Sequence, residues 1–97
     1  DELVQIAQWA DMNGLHILMD EIYHGLQHVV DIPSILEVYN DAFVVSSFSK
    51  YFGMTGWRLG WIIVPEDYVE TAEMLAQNLF ISAPSINYLI FFGFLTV

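Results

Sequence analysis

The chain has 97 residues, 56% of them hydrophobic, and its twelve acidic side chains against only Lys50 and Arg58 give a net charge of −10 at neutral pH. That much apolar content excludes a disordered tail and the length allows one domain or part of one, while the acidity disfavours nucleic-acid backbones and anionic membrane surfaces as partners. With no cysteine, disulfides and thiolate metal sites are excluded, and a cytoplasmic location is the expectation.

The chain opens Asp1-Glu2-Leu3-Val4-Gln5, without an initiator methionine, a basic segment or a small-residue cleavage site, so no leader is expected within it and its true start is expected upstream. From Glu2 to Asn13 the apolar residues Leu3, Ile6, Ala7 and Ala10 recur at helical spacing, and Gly14 supplies a stop; this predicts a helix with one buried face. Leu15 to Met19 is a short apolar run ending in Asp20 and Glu21, which predicts a strand buried on both faces that emerges at its carboxyl edge. In open α/β sheets that edge is where ligands bind.

Pro33 opens a predicted short helix through Ser34, Ile35, Leu36 and Val38, after which Asn40 and Asp41 turn the chain into a second strand, Ala42 to Ser46. A helix between two strands predicts a parallel crossover. Gly60 to Val64 reads as a third strand closed by Pro65. A helix follows from about Asp67 to Phe80, with Val69, Ala72, Leu75, Ala76 and Leu79 on its apolar side. The apolar run from Tyr88 to Val97 is shorter than the ~20 residues a bilayer span needs and predicts a buried helix rather than an anchor. The order αβαββα predicts an α/β layered fold, and nothing divides it into two domains. Three strands would leave sheet faces uncovered, so the chain reads as a slice of a larger sheet.

A lone lysine in a strand-to-strand loop is ordinarily a solvated surface group. Lys50 has more around it: Ser47 and Ser49 precede it, and Gly53, Gly56 and Gly60 leave room for a ligand close to the backbone. Arg58, flanked by Trp57 and Trp61, is the only other cation, so an anionic ligand would find positive charge nowhere else in the chain. His16, His24 and His28 lack the spacing of a metal site and read as structural. Tyr51, Trp57 and Trp61 read as packing residues rather than a stacking platform.

The run Ser47 to Gly60, S-F-S-K-Y-F-G-M-T-G-W-R-L-G, resembles the signature of class I and II aminotransferases of the aspartate aminotransferase fold. The run Asp20 to Leu26, D-E-I-Y-H-G-L, resembles the family's cofactor strand, and the first helix and the S-A-P-S of Ser82 to Ser85 fall in the family's order, so the resemblance covers nearly the whole chain. It implies a three-layer α/β/α domain with a mostly parallel sheet and one antiparallel strand, of which residues 1–97 form an incomplete part, the large domain that binds pyridoxal 5'-phosphate. It also implies a homodimer that moves the amino group of an amino acid to a 2-oxo acid, without a metal.

By the same resemblance Lys50 is the catalytic residue, forming a Schiff base with the cofactor aldehyde and then shuttling a proton. Asp20 pairs with the pyridine nitrogen, Tyr23 donates to the phenolic oxygen, and Arg58 grips the phosphate with the Ser47 hydroxyl. Read without the resemblance, Asp20 is a solvated strand-end carboxylate and Tyr23 an ordinary half-buried tyrosine. Ser49 is either a second phosphate ligand or a small residue that lets the lysine turn inward. The arginine that clamps the substrate carboxylate, the ring-stacking aromatic and a cofactor-binding asparagine are expected outside these residues, so the piece alone is expected to be inactive and substrate identity does not follow from it. Two rival readings share the resemblance: a carbon–sulfur β-lyase using the same lysine, and an aminotransferase-like sensor domain of a transcriptional regulator.

Overall fold

The computed structural model describes residues 2–28 and 30–86; the predicted helix over Tyr88 to Val97 lies outside them. Two helices and three strands follow in the predicted order: α1 (Glu2–Met12), β1 (Ile17–Asp20), β2 (Ala42–Ser47), β3 (Gly60–Ile63) and α2 (Val69–Leu79). The sheet is mixed, in the order β1-β2-β3. β1 runs parallel to β2 with Asp20 opposite Val45, and β3 returns antiparallel with Gly60 opposite Ser47.

Side chains alternate between the faces of a strand, so this register sorts the sheet into two sides. Ile17, Met19, Ala42 and Val44 turn toward α1, and with its Ala7 and Ala10 and with Ile35 they form the core. The alanines let the helix lie close to the sheet. Ile35, only 1% exposed, is the largest fully buried side chain, and its burial contributes about 1.5–3 kcal/mol. The other face carries Leu18, Asp20, Phe43, Val45, Ser47 and Ile62. Tyr68 covers its amino-terminal end, packing edge-on against His16 and Phe43, and its hydroxyl lies 3.2 Å from His16 Nε2. His16 is thus held as a structural residue.

Three elements depart from expectation. β1 is buried on one side only: Leu18, on the other, is 65% exposed, beyond the end that Tyr68 covers. The connection from β1 to β2 makes the expected parallel crossover, but the only helix among its described residues is a 3-10 turn, Ile35–Glu37, rather than an α-helix. Ser34 accepts from the Leu36 amide while its own N–H donates to the Glu37 carboxylate, and this capping box starts a helix that Tyr39 closes one turn later by donating to the Ile35 carbonyl. A 3-10 turn, Glu66–Tyr68, occupies the predicted start of the last helix, and α2 buries none of its residues. Its apolar stripe, with Leu75 and Leu79 exposed, has nothing among the described residues over it. No described helix is long and apolar enough to cross a membrane.

Candidate active site

Two segments meet at the carboxyl end of the parallel pair: the turn that follows β1, and the loop that joins β2 to β3. The loop is tied to itself by its own polar groups. Ser47 Oγ accepts from the Ser49 amide at 3.1 Å, a serine turn that bends the chain as it leaves the strand. Thr55 Oγ1 donates to the Ser49 carbonyl at 2.8 Å, and the Phe48 amide donates to the Leu59 carbonyl at 3.1 Å across the base of the loop. Below it Phe48 is buried, with the rings of Phe52 and Trp61 at 4.9 and 5.1 Å. Lys50 is carried at the exposed tip of this fixed frame.

A cleft of about 390 Å³ opens beside the loop, and Ser47, Ser49, Lys50, Thr55, Arg58 and Gly60 are among its walls. Gly60 is required by proximity: a Cβ there would stand 2.9 Å from the Ser46 carbonyl oxygen, so only glycine lets β3 begin this close to Ser47. Arg58 adopts a left-handed backbone, φ 52° and ψ 43°, which costs a non-glycine residue about 1–2 kcal/mol. Its Nη1 donates to the Thr55 carbonyl at 3.0 Å, which holds the guanidinium over the loop.

Four of the six residues expected from sequence therefore border one cleft: Ser47, Ser49, Lys50 and Arg58. Tyr23 joins them through Lys50, whose Nζ lies 5.7 Å from the centre of the tyrosine ring, within cation–π reach. Asp20 does not line the cleft. It ends β1 on the same sheet face as Ser47, and its Oδ1 accepts from the Ile22 amide at 3.1 Å. Ser49 is buried, with its amide and carbonyl both used inside the loop, and it lines the cleft while Lys50 beside it is exposed. Tyr51 and Trp61 pack edge-on, as expected, against Phe52 and Phe48, each at 5.1 Å, while Tyr51, Trp57 and Trp61 all keep substantial exposure.

Two residues of the site were missed. Thr55 walls the cleft and braces Ser49; its hydroxyl three positions before Arg58 was the available signal. Glu21, next to Asp20, is buried on the opposite side of the strand, where its carboxylate accepts from Ser34 Oγ and the Ile35 amide, both at 2.9 Å. Alternation along the strand was the signal there.

The chemistry of the donor set is that of an anion site. Both cations of a chain with net charge −10 border the cleft, three hydroxyl residues accompany them, and no carboxylate is among its walls. A planar guanidinium, an ammonium and hydroxyls suit a phosphate monoester, and a flexible primary amine suits a carbonyl group. Among the described residues no group of three or more His, Asp or Glu side chains is placed to hold a metal.

The family model described as aminotransferase class I and II matches residues 1–90. A valine–pyruvate aminotransferase of Mycobacterium tuberculosis is 39% identical over 89 residues, which is 90% of this chain and 23% of that protein. A (5-formylfuran-3-yl)methyl phosphate transaminase of Methanocaldococcus jannaschii is 38% identical over 86 residues, 86% of this chain and 23% of that protein. Among solved structures, a PLP-dependent aminotransferase from Streptococcus suis superposes with a TM-score of 0.81 at 30% identity, over 91% of this chain and 23% of that one. The chain thus spans less than a quarter of the length of these relatives.

Proposed function

This chain belongs to the aminotransferase class I and II family, and we propose that the intact protein carrying it transfers the amino group of an amino acid to a 2-oxo acid with pyridoxal 5'-phosphate as cofactor. Residues 1–97 form part of its large, cofactor-binding domain, a three-layer α/β/α unit whose second helical layer lies over the sheet face that Leu18 and Ile62 leave open. The observation that carries this reading is the convergence of the only two cations of an acidic chain, Lys50 and Arg58, with Ser47 on one cleft at the carboxyl edge of the sheet.

In this reading Arg58 and the Ser47 hydroxyl hold the phosphate, the guanidinium as a fork and the hydroxyl as a single donor. Pyridoxal phosphate, when bound, supplies an aldehyde that accepts amino groups and a pyridine ring that withdraws electrons. Lys50 would hold the cofactor through its aldehyde, and its Nζ would serve as the base that takes the proton from the substrate Cα. The Asp20 carboxylate would pair with the pyridine nitrogen and keep it protonated, and the Tyr23 hydroxyl would donate to the phenolic oxygen. None of these groups reaches a substrate side chain, which fits relatives of similar identity that bear different substrate names.

Product analysis tests the reading. The intact protein, loaded with pyridoxal phosphate and given an amino acid in the absence of an acceptor, should release one 2-oxo acid per site and leave the cofactor aminated. Ammonia and pyruvate from a β-substituted substrate would mark a carbon–sulfur lyase instead, and uptake of cofactor without any product would mark a sensor domain. The family habit of homodimerisation is part of the proposal, and sedimentation of the intact protein at twice its monomer mass is the expected result.

A further inference from the structure

Glu21 is the buried ionisable residue among the described ones, at 8% exposure, and the proposed chemistry makes no use of it. Every polar group it owns is engaged. Its N–H donates to the Val45 carbonyl at 2.9 Å, prolonging the β1–β2 ladder past Asp20, and its carbonyl accepts from the His24 amide at 3.0 Å, closing the turn that carries Tyr23. Ser46 Oγ approaches the same carbonyl at 3.4 Å. On the far side of the sheet, Oε1 accepts from Ser34 Oγ and from the amide of Ile35, and Oε2 lies 3.6 Å from His24 Nδ1. Ile35 is itself the most buried large side chain of the core, so the carboxylate is anchored at the most fixed point available.

Because neighbouring side chains along a strand point to opposite faces, anchoring Glu21 in the core fixes Asp20 on the cleft side. The same residue, through its carbonyl and through His24, sets the turn that presents Tyr23 to Lys50. A buried carboxylate is costly without partners, and here it has two donors and an imidazole, all supplied by the segments it ties together.

Resting on the aminotransferase reading, we propose that Glu21 is a positioning residue: its buried carboxylate, hydrogen-bonded to Ser34 and Ile35, holds Asp20 and Tyr23 in register with the Lys50 loop so that they can engage the cofactor. It acts through its neighbours and does not touch the cofactor.

The test uses the intact protein, freed of cofactor, titrated with pyridoxal phosphate and followed by its visible absorption band across pH. Glu21→Ala should weaken binding roughly ten- to a hundredfold, the range found at metal sites when a partner that orients a ligand-binding side chain is removed. It should also displace the pH midpoint of the band, because Asp20 and Tyr23 no longer face the ring. Glu21→Gln should keep both values near wild type, since an amide oxygen still accepts from Ser34 and Ile35. Ala7→Gly, in the core at α1 and remote from the cleft, supplies a matched loss of thermal stability and should move neither. Should Glu21→Ala fail to fold, Ser34→Ala, which removes one donor, should show a smaller change in the same direction. Affinity and midpoint unchanged in the tested variant, or changed no more than in Ala7→Gly, or lost equally in Glu21→Gln, would overturn the positioning role. Wild-type protein that takes up no pyridoxal phosphate would instead overturn the aminotransferase reading and, with it, this inference.

Discussion

Lys50 stands on a loop whose backbone and hydroxyl groups are bonded to one another, so its own side chain is not needed to hold the loop in place. Lys50→Ala in the intact protein should therefore leave stability within about 0.5 kcal/mol, as at exposed positions generally. It should lower kcat by roughly 10² to 10⁴, the contribution of a positioned acid–base group; thermal melts and steady-state rates check the two halves. Arg58 is the opposite case, a side chain in a backbone conformation that disfavours it. Arg58→Gly should recover up to about 1–2 kcal/mol of that strain while cofactor affinity falls. Such a variant melts no lower than wild type without cofactor yet binds pyridoxal phosphate more weakly in titration. Arg58→Lys retains charge but not the fork and should fall between.

At the scale of elements, the turn after β1 and the loop after β2 are locked by one close contact. Gly25 has φ 86°, and a Cβ on it would stand 2.5 Å from Tyr51 Cδ2, against the residue next to Lys50. Gly25→Ala should cost about 1–3 kcal/mol from overpacking, with backbone strain added. Adding Tyr51→Ala should return the overpacking part alone; denaturant midpoints of the two variants measure the difference. This contact was not legible in the sequence, since nothing in a Gly and a Tyr 26 positions apart says that they meet. Periodicity did locate α1, β2, β3 and most of α2. It misjudged β1 because an apolar run reads the same whether one face or both are covered within the chain. It foresaw the parallel crossover but not that its helix is a single 3-10 turn, because Pro33 and the Ser34–Glu37 box announce where a helix begins and say little about how soon it ends. The site was more readable than the packing: the serines, lysine, glycines and arginine sit within one short stretch, whereas Glu21 acts through Ser34 and Ile35, which only the fold brings to it.

The whole molecule carries apolar surface that its described residues do not cover: Leu18 and Ile62 on the open sheet face, and Leu75 and Leu79 on α2. Its core is small, with three alanines among the buried residues and Ile35 the largest side chain fully enclosed. A sheet with one face largely uncovered has too little buried area to offset chain entropy. The isolated 97-residue chain should therefore melt broadly and bind a hydrophobic dye, while the intact protein melts cooperatively; a sharp calorimetric transition of the isolated chain would count against this. The central claim concerns the site, and one measurement addresses it directly. The intact protein is loaded with pyridoxal phosphate, reduced with borohydride, digested and mapped by mass spectrometry. The cofactor label is predicted on Lys50 and on no other residue; a label elsewhere, or none in protein whose absorbance shows bound cofactor, would contradict the assignment.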